Sequence, residues 1–191
     1  SVDEYRHSMR AARELLSRGE DDLRVWHLAY PPAWPVTVAE ESALHGVEPA
    51  LIWAVMRQES AFSPVAISRS GAQGLMQVMP TTWDWIAELR SEEPTDPFEV
   101  RENIAYGATY LAWLLRYFDG DEELVIAGYN GGQGYVRRLF ESEWVAQDKD
   151  EFYREIDQPE TREYLQRVYE NLEVYRLLYP GLSKGEVAAS G

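Results

Sequence analysis

Apolar residues recur at helical spacing through most of the chain, and no paired stretches of strict alternation bounded by hairpin turns occur. Glu4 to Ser17 carries Met9, Ala12 and Leu15 or Leu16 on one side and meets a stop at Gly19, which predicts a helix. Leu23 to Ala29 predicts a second, shorter one. Tyr30-Pro31-Pro32-Ala33-Trp34-Pro35 holds three prolines in six residues, so it reads as a bend or extended link marking the edge of a main domain. Thr37 is the expected N-cap of a helix over Val38–His45, stopped by Gly46. Pro49 opens an apolar helix that runs to Glu59. Thr81 and Thr82 are expected to cap Trp83–Leu89. Asp96-Pro97 is expected to start a long helix to about Phe118, with Ile104, Gly107, Ala108, Leu111, Leu114 and Leu115 at helical spacing. Glu122–Tyr129 predicts a short helix, followed by a glycine-rich turn over Asn130-Gly131-Gly132-Gln133-Gly134 and a helix over Tyr135–Glu143. After a polar stretch, Pro159 opens a last helix, Glu160–Leu178, which Pro180-Gly181 ends. The pattern predicts an all-α chain with no internal repeat. Residues 1–29 form an N-terminal helical extension or linker, 30–182 the main domain, and 183–191 a flexible tail.

One stretch changes character abruptly. The apolar run Ala50 to Met56 leads into Glu59, and the chain then turns small, polar and irregular through Ser68-Arg69-Ser70-Gly71-Ala72-Gln73-Gly74 before Leu75-Met76-Gln77-Val78-Met79-Pro80. Read as a helix, Glu59 shares a face with Met56, Val55 and Ile52. Burial and the negative end of the helix dipole both favour its protonated form, which suits a proton donor at neutral pH. On position alone, a solvated last-turn glutamate is the favoured reading.

Composition narrows the chemistry around that residue. The 191 residues are 45% apolar, enough for a globular core, and 33 acidic residues stand against 18 lysines and arginines, a formal charge of −15. Such a balance argues against general nucleic-acid or anionic-membrane binding. Cysteine is absent and the histidines are scattered at His7, His27 and His45, so neither disulfides nor a thiolate metal site is expected, and no cofactor is implied. There is no phosphate loop after a strand, no nucleophile-elbow frame around Ser60, and no calcium-loop alternation in Asp119, Asp121, Glu122 and Glu123, which read instead as a capping loop. No signal peptide or membrane-spanning run appears, and the chain begins at Ser1 without methionine, as expected of a mature or trimmed fragment.

Four motifs in order, Glu59-Ser60-Ala61-Phe62, Gly74-Leu75-Met76-Gln77-Val78-Met79-Pro80, Ala127-Gly128-Tyr129-Asn130-Gly131-Gly132 and Glu160-Thr161-Arg162-Glu163-Tyr164-Leu165, resemble those of the soluble lytic transglycosylase (SLT) catalytic domain, a member of the lysozyme-like superfamily. Tyr30-Pro31 and Gly46-Val47-Glu48-Pro49 add to the likeness, which spans roughly Tyr30 to Pro180. The resemblance implies a lysozyme-like (goose-type/SLT) helical domain with a cleft. It also implies cleavage of the β-1,4 bond between N-acetylmuramic acid and N-acetylglucosamine in peptidoglycan. One Glu acts as acid and then base, closing a 1,6-anhydro sugar without water.

By that resemblance Glu59 is the acid/base and Ser68 bonds the sugar acetamido group. Gln77 and Met79 line the sugar cleft, while Met76 belongs to the core. Tyr129 reaches the catalytic carboxyl, Asn130 shapes the cleft wall, and Glu160 and Tyr164 border the cleft and peptide-stem region. Arg162 is equally readable as a structural ion-pair partner. The next acid after Glu59 is Asp84, beyond the loop, so no second carboxylate stands close in sequence as two-carboxylate glycosidases require. Gly128 and Gly131 replace alanines frequent in the family and are expected to loosen the turn, and Gln73 replaces a small residue. Peptidoglycan glycan strands are the implied partner and the cell envelope, periplasmic or extracytoplasmic, the implied location. A place in a cell-wall synthesis or division complex is left open. Three rival readings share the sequence: a goose-type hydrolase using water, a glycan-binding or scaffold module without catalysis, and a purely helical interaction protein.

Overall fold

In the computed structural model, residues 2–142 and 149–182 are described; Glu143, part of the polar stretch after it and the tail from Ser183 lie outside them. Ten helices are found among the described residues: α1 (Val2–Ser17), α2 (Leu23–Ala29), α3 (Pro35–His45), α4 (Pro49–Ser60), α5 (Pro80–Arg90), α6 (Val100–Tyr117), α7 (Glu122–Gly131), α8 (Gln133–Phe140), α9 (Lys149–Glu155) and α10 (Pro159–Leu178). The extended pairing among these residues is limited to isolated bridges of Gln73 with Ile67 and Val78. The all-α expectation holds.

Several boundaries differ from those expected, for one recurring reason. Pro35 and Pro80 each occupy the first turn of their helix, preceded by Trp34 and Met79. Proline fits there because its fixed φ is helical and its missing N–H would have gone unpaired. Thr37, Thr81 and Thr82 therefore lie inside helices instead of capping them. Asp96 makes a local turn, accepting from the Phe98 N–H at 2.9 Å, and α6 starts four residues later. α7 runs on to Gly131, so the expected glycine-rich turn shrinks to Gly132, which ends α7 and starts α8. α9 lies in the stretch read as merely polar.

The chain divides into two compact units, residues 1–109 with 171–191, and residues 110–170. In the first, α4 is the buried element. Every residue from Pro49 to Met56 is buried, so this helix is a core rod without a solvent face. The proline-rich segment before α3 is fastened through its carbonyls. Tyr179 Oη donates to Tyr30 O at 2.8 Å, Tyr175 Oη to Pro31 O at 3.2 Å, and Trp53 Nε1 to Ala33 O at 2.8 Å. Prolines remove donors from such a segment, so side-chain donors satisfy its acceptors instead. Burial pushes the Tyr175 phenol well up and that of Tyr179 up to about 12, so both remain neutral donors. Arg57 stacks over the Tyr30 ring, 3.9 Å from its centroid, and donates from Nε to Asn171 Oδ1 at 3.2 Å and from Nη1 to Ala29 O. Arg176 meets Glu48 through Nε at 3.0–3.1 Å and through Nη2 at 2.5 Å.

In the second unit, Asp121 caps α7 by accepting from the Glu123 and Leu124 N–H groups at 3.2 and 3.4 Å, the capping role read for the acidic loop. Arg162 donates from Nε to the Ile156 carbonyl at 3.1 Å and from Nη2 to the carbonyls of Ile156 and Arg154, satisfying backbone around the end of α9.

One buried ionisable group in the first unit predicts a pH effect. Glu41 is 6% exposed, and its Oε2 has no hydrogen-bond partner among the described residues, with His45 Nε2 standing 3.4 Å away. Thr109 Oγ1 lies 3.3 Å from that nitrogen and accepts from Arg90 Nη1 at 3.3 Å. Burial, the largest influence, raises the Glu41 pKa; Arg90 and Arg101 oppose it, and Glu40 and Glu102 reinforce it. A carboxyl raised in the fold contributes stability that is full below its unfolded pKa and is lost as pH rises through the folded one. Urea unfolding across that window should therefore show stability declining with pH. Glu41→Gln should flatten the decline and raise stability at pH 8 by on the order of 1 kcal/mol, the scale of a relieved buried polar group.

Candidate active site

Glu59 sits in the last turn of α4, three residues beyond fully buried Met56, and is itself half-buried. The chain reverses immediately after it. Ala61 and Phe62 both take left-handed backbone, φ 48° and 63°, and the Ala61 N–H returns to Arg57 O at 3.2 Å. Left-handed backbone is unfavourable for residues with a Cβ. Here the Phe62 ring offsets it by burying completely beside Tyr5 and Trp34, with centroids 6.1 and 6.5 Å away. Ser60 Oγ accepts from the Ser63 N–H and donates to Met56 O, both at 3.2 Å, so Ser60 closes the helix end.

The loop from Ser63 to Met79 is irregular but closely bonded. Ser68 N donates to Ala72 O at 2.9 Å, the Ala72 N–H returns to Ser68 Oγ at 3.0 Å, and Ser70 Oγ lies 2.9 Å from that same hydroxyl. Gln73 and Val78 exchange N–H···O bonds at 3.0 and 3.1 Å, and Gly74 N donates to Ala66 O at 2.9 Å. Gln77 also takes left-handed backbone, φ 50°, and its Nε2 donates to Ala66 O at 3.0 Å and Gly74 O at 2.8 Å. The Gln77 amide nitrogen thus clamps the loop. Met76 is fully buried, as expected of a core residue, whereas Met79 is 38% exposed.

A residue that sequence reasoning passed over holds this loop from outside it. Asn103, 1% exposed on α6, accepts from Met76 N at 2.7 Å through Oδ1 and donates through Nδ2 to Gln73 O at 3.1 Å and Pro97 O at 2.8 Å. The available signal was an amide one position before Ile104 and one turn before Gly107 on the apolar face of a helix. Such a buried polar group needs partners from elsewhere in the fold.

In the second unit, Tyr129 and Asn130 occupy the end of α7, and Glu160 and Tyr164 the first turns of α10. Asn130 Oδ1 accepts from Thr161 Oγ1 at 2.9 Å, which joins the third and fourth motifs. Tyr129 is half-buried, its ring centroid 5.2 Å from that of Tyr110, whose phenol burial pushes up to about 12. Glu160 is exposed, whereas Tyr164 is 5% exposed and offers little surface. Gly131 does not loosen a turn. It lies inside α7, where an added Cβ would stand 2.9 Å from the Thr161 side chain, so it permits close approach of the two helices. Gly128 is likewise helical, with the Phe118 ring 2.8 Å from an added Cβ.

The described residues thus form an all-α fold in which a half-buried acid ends a core helix and a braced Ser/Gly loop follows it. Residues 37–152 match the family described as the transglycosylase SLT domain, more than half of the chain, and the chain belongs to that family. It is 38% identical over 120 residues to membrane-bound lytic murein transglycosylase C of Shigella sonnei and 39% identical over 118 residues to that of Yersinia pestis, in each case 56% of this chain. It spans about a third of the length of these relatives, 33%.

Solved structures agree on the fold. An inactive glutamate-to-glutamine mutant of lytic transglycosylase Slt from Pseudomonas aeruginosa matches with TM-score 0.74 and 27% identity, over 91% of this chain and 32% of that one. The 70 kDa soluble lytic transglycosylase from Escherichia coli matches with TM-score 0.77 and 24% identity, over 97% of this chain and 31% of that one. A complex of the 70 kDa enzyme with bulgecin A gives TM-score 0.80 at the same identity and coverage. Among the described residues, no helix is long and apolar enough to cross a membrane.

Gly74 tests the packing of the loop. It has φ +79°, and an added Cβ would fall 2.1 Å from Asn103 Nδ2 and 2.4 Å from Pro97 O. Gly74→Ala should destabilise the protein by about 2–4 kcal/mol, combining left-handed strain with overpacking, read as a lower urea midpoint with an unchanged m-value.

Proposed function

We propose that this chain is a peptidoglycan lytic transglycosylase, cleaving the β-1,4 bond between N-acetylmuramic acid and N-acetylglucosamine and leaving a 1,6-anhydro-N-acetylmuramic acid end. The observation that carries the reading is Glu59. It is half-buried at the end of a core helix, beside a left-handed reversal, in a chain that belongs to the transglycosylase SLT domain family. In the lytic transglycosylase Slt of Pseudomonas aeruginosa a glutamate-to-glutamine mutant is inactive, which supports a glutamate as an essential group.

In this mechanism the Glu59 carboxyl first donates its proton to the glycosidic oxygen as the C1–O bond breaks. The resulting carboxylate then accepts the proton of the muramic acid C6 hydroxyl as its oxygen bonds to C1. The proton lent in the first step is recovered in the second, and no water is consumed. Asp84, the next acid in sequence after Glu59, is exposed on α5. A one-acid mechanism has no need of it, because the substrate's own acetamido group can stabilise positive charge at C1. Ser68, Gln77 and Met79 are the proposed glycan contacts of the first unit. Tyr129, Asn130, Glu160 and Tyr164 are those of the second. Glycan strands of the cell envelope are the proposed substrate.

Digestion of purified sacculi tests this reading. The expected product carries an anhydro end one water lighter than a hydrolysed one by mass spectrometry. Reducing muramic acid ends alone would assign a lysozyme-type hydrolase instead. Glu59→Gln should lower turnover by at least about 100-fold, the contribution of a general acid, with the fold intact by circular dichroism. Digestion at the parent rate would remove Glu59 from the mechanism.

A further inference from the structure

We infer that Asn103 is the positioning residue for the glycan-binding loop, setting substrate affinity through main-chain groups it never presents to the substrate. The inference rests on the proposed function and adds to it a residue outside the four motifs.

α6 grips the loop at two successive turns of one face. Asn103 Oδ1 takes the Met76 N–H at 2.7 Å, and four residues on, Gly107 leaves room for the Met76 side chain, whose Sδ would stand 2.1 Å from an added Cβ. The backbone N–H and the thioether of one loop residue are therefore held by positions i and i+4 of one helix. Both Nδ2 protons of Asn103 are also used, on Gln73 O and Pro97 O. Gln73 O receives a second bond from Val78 N, so Asn103 closes the same small ring that sets the direction of Gln77 and Met79.

Only an amide does this. It must accept from one main-chain group and donate to two others within a space that Gly74 keeps clear. An ionised carboxylate of the same shape would accept from Met76 N but face two carbonyl oxygens with no proton to offer. Inside a 1%-exposed site, such unmade bonds leave the loop free to shift. Gln77 then loses its direction as well, since its Nε2 bonds end on Ala66 O and Gly74 O of the same loop. Glu59, on α4, keeps its own supports.

The effect therefore falls on affinity more than on the bond-breaking step. Asn103→Asp, assayed on a soluble muropeptide tetrasaccharide at a temperature where circular dichroism shows parent and variant fully folded, should raise KM about tenfold or more, with kcat within about threefold of the parent. In a Glu59→Gln background the same change should weaken tetrasaccharide binding by a like factor in calorimetry. The defect should shrink toward acid pH, where a protonated side chain regains one donor. A merely structural role would lower the unfolding midpoint and leave KM, affinity and their pH dependence in place. That result overturns the inference. If Asn103→Asp does not fold, Asn103→Ser, which keeps one hydroxyl donor, is read by the same split. Should both fail to fold, Asn103 is a folding residue and the positioning role falls. Failure of the parent itself to cleave sacculi would instead remove the proposed function, so the two readings fail separately.

Discussion

The first unit depends on a helix that has no solvent face. Eight consecutive residues of α4 are buried, so the helix can neither tilt nor slide without opening a cavity on some side. A polar residue on such an element is tolerable only at its end. The chain must then leave the core abruptly, and it does so through two left-handed residues that are not glycine. Each costs about 1–2 kcal/mol, and complete burial of the Phe62 side chain contributes about 1.5–3 kcal/mol. The terms are of similar size. Burial of Phe62 beside the Tyr5 and Trp34 rings thus offsets part of the strain of the exit beside Glu59.

Beyond the exit, rigidity comes from hydrogen bonds. The loop between Glu59 and α5 carries no regular ladder, and an irregular segment with buried backbone must find a partner for each polar group. Ser68 and Ser70 supply them on one side, the Gln77 amide on another, and Asn103 from α6 on a third. Networks of this kind fail as units, because removing one member strands the others. Ser68 and Gln77, proposed as glycan contacts, consequently have structural duties in the same atoms.

The second unit shows a related economy. Thr161 Oγ1 donates to Asn130 and approaches closely at Gly131, so motif positions thirty residues apart meet through a hydroxyl and a missing side chain. Tyr135 Oη donates to Asp157 Oδ1 at 2.7 Å and accepts from the Asp157 N–H at 3.1 Å, while Arg162 bonds the carbonyls of Arg154 and Ile156. These bonds fix the approach to α10.

By itself the sequence determined the helical class, the buried run ahead of Glu59, the Asp121 cap and the extent of the last helix. Each is written in local spacing or in a capping residue whose partner lies within a few positions. Local signals also misled. Threonines drew the starts of α3 and α5 inward although Pro35 and Pro80 were competent to begin them, and α9 hid in a polar stretch. Only the tertiary structure decided what Asn103, Phe62, Gln77 and Gly131 do. Asn103 finds its partners 6 to 30 positions away, Phe62 its ring neighbours on α1 and at the start of α3, and Gly131 its constraint on α10. Their roles arise from the obligation to satisfy polar groups and fill space at contacts distant in sequence, an obligation that exists only once the chain has folded.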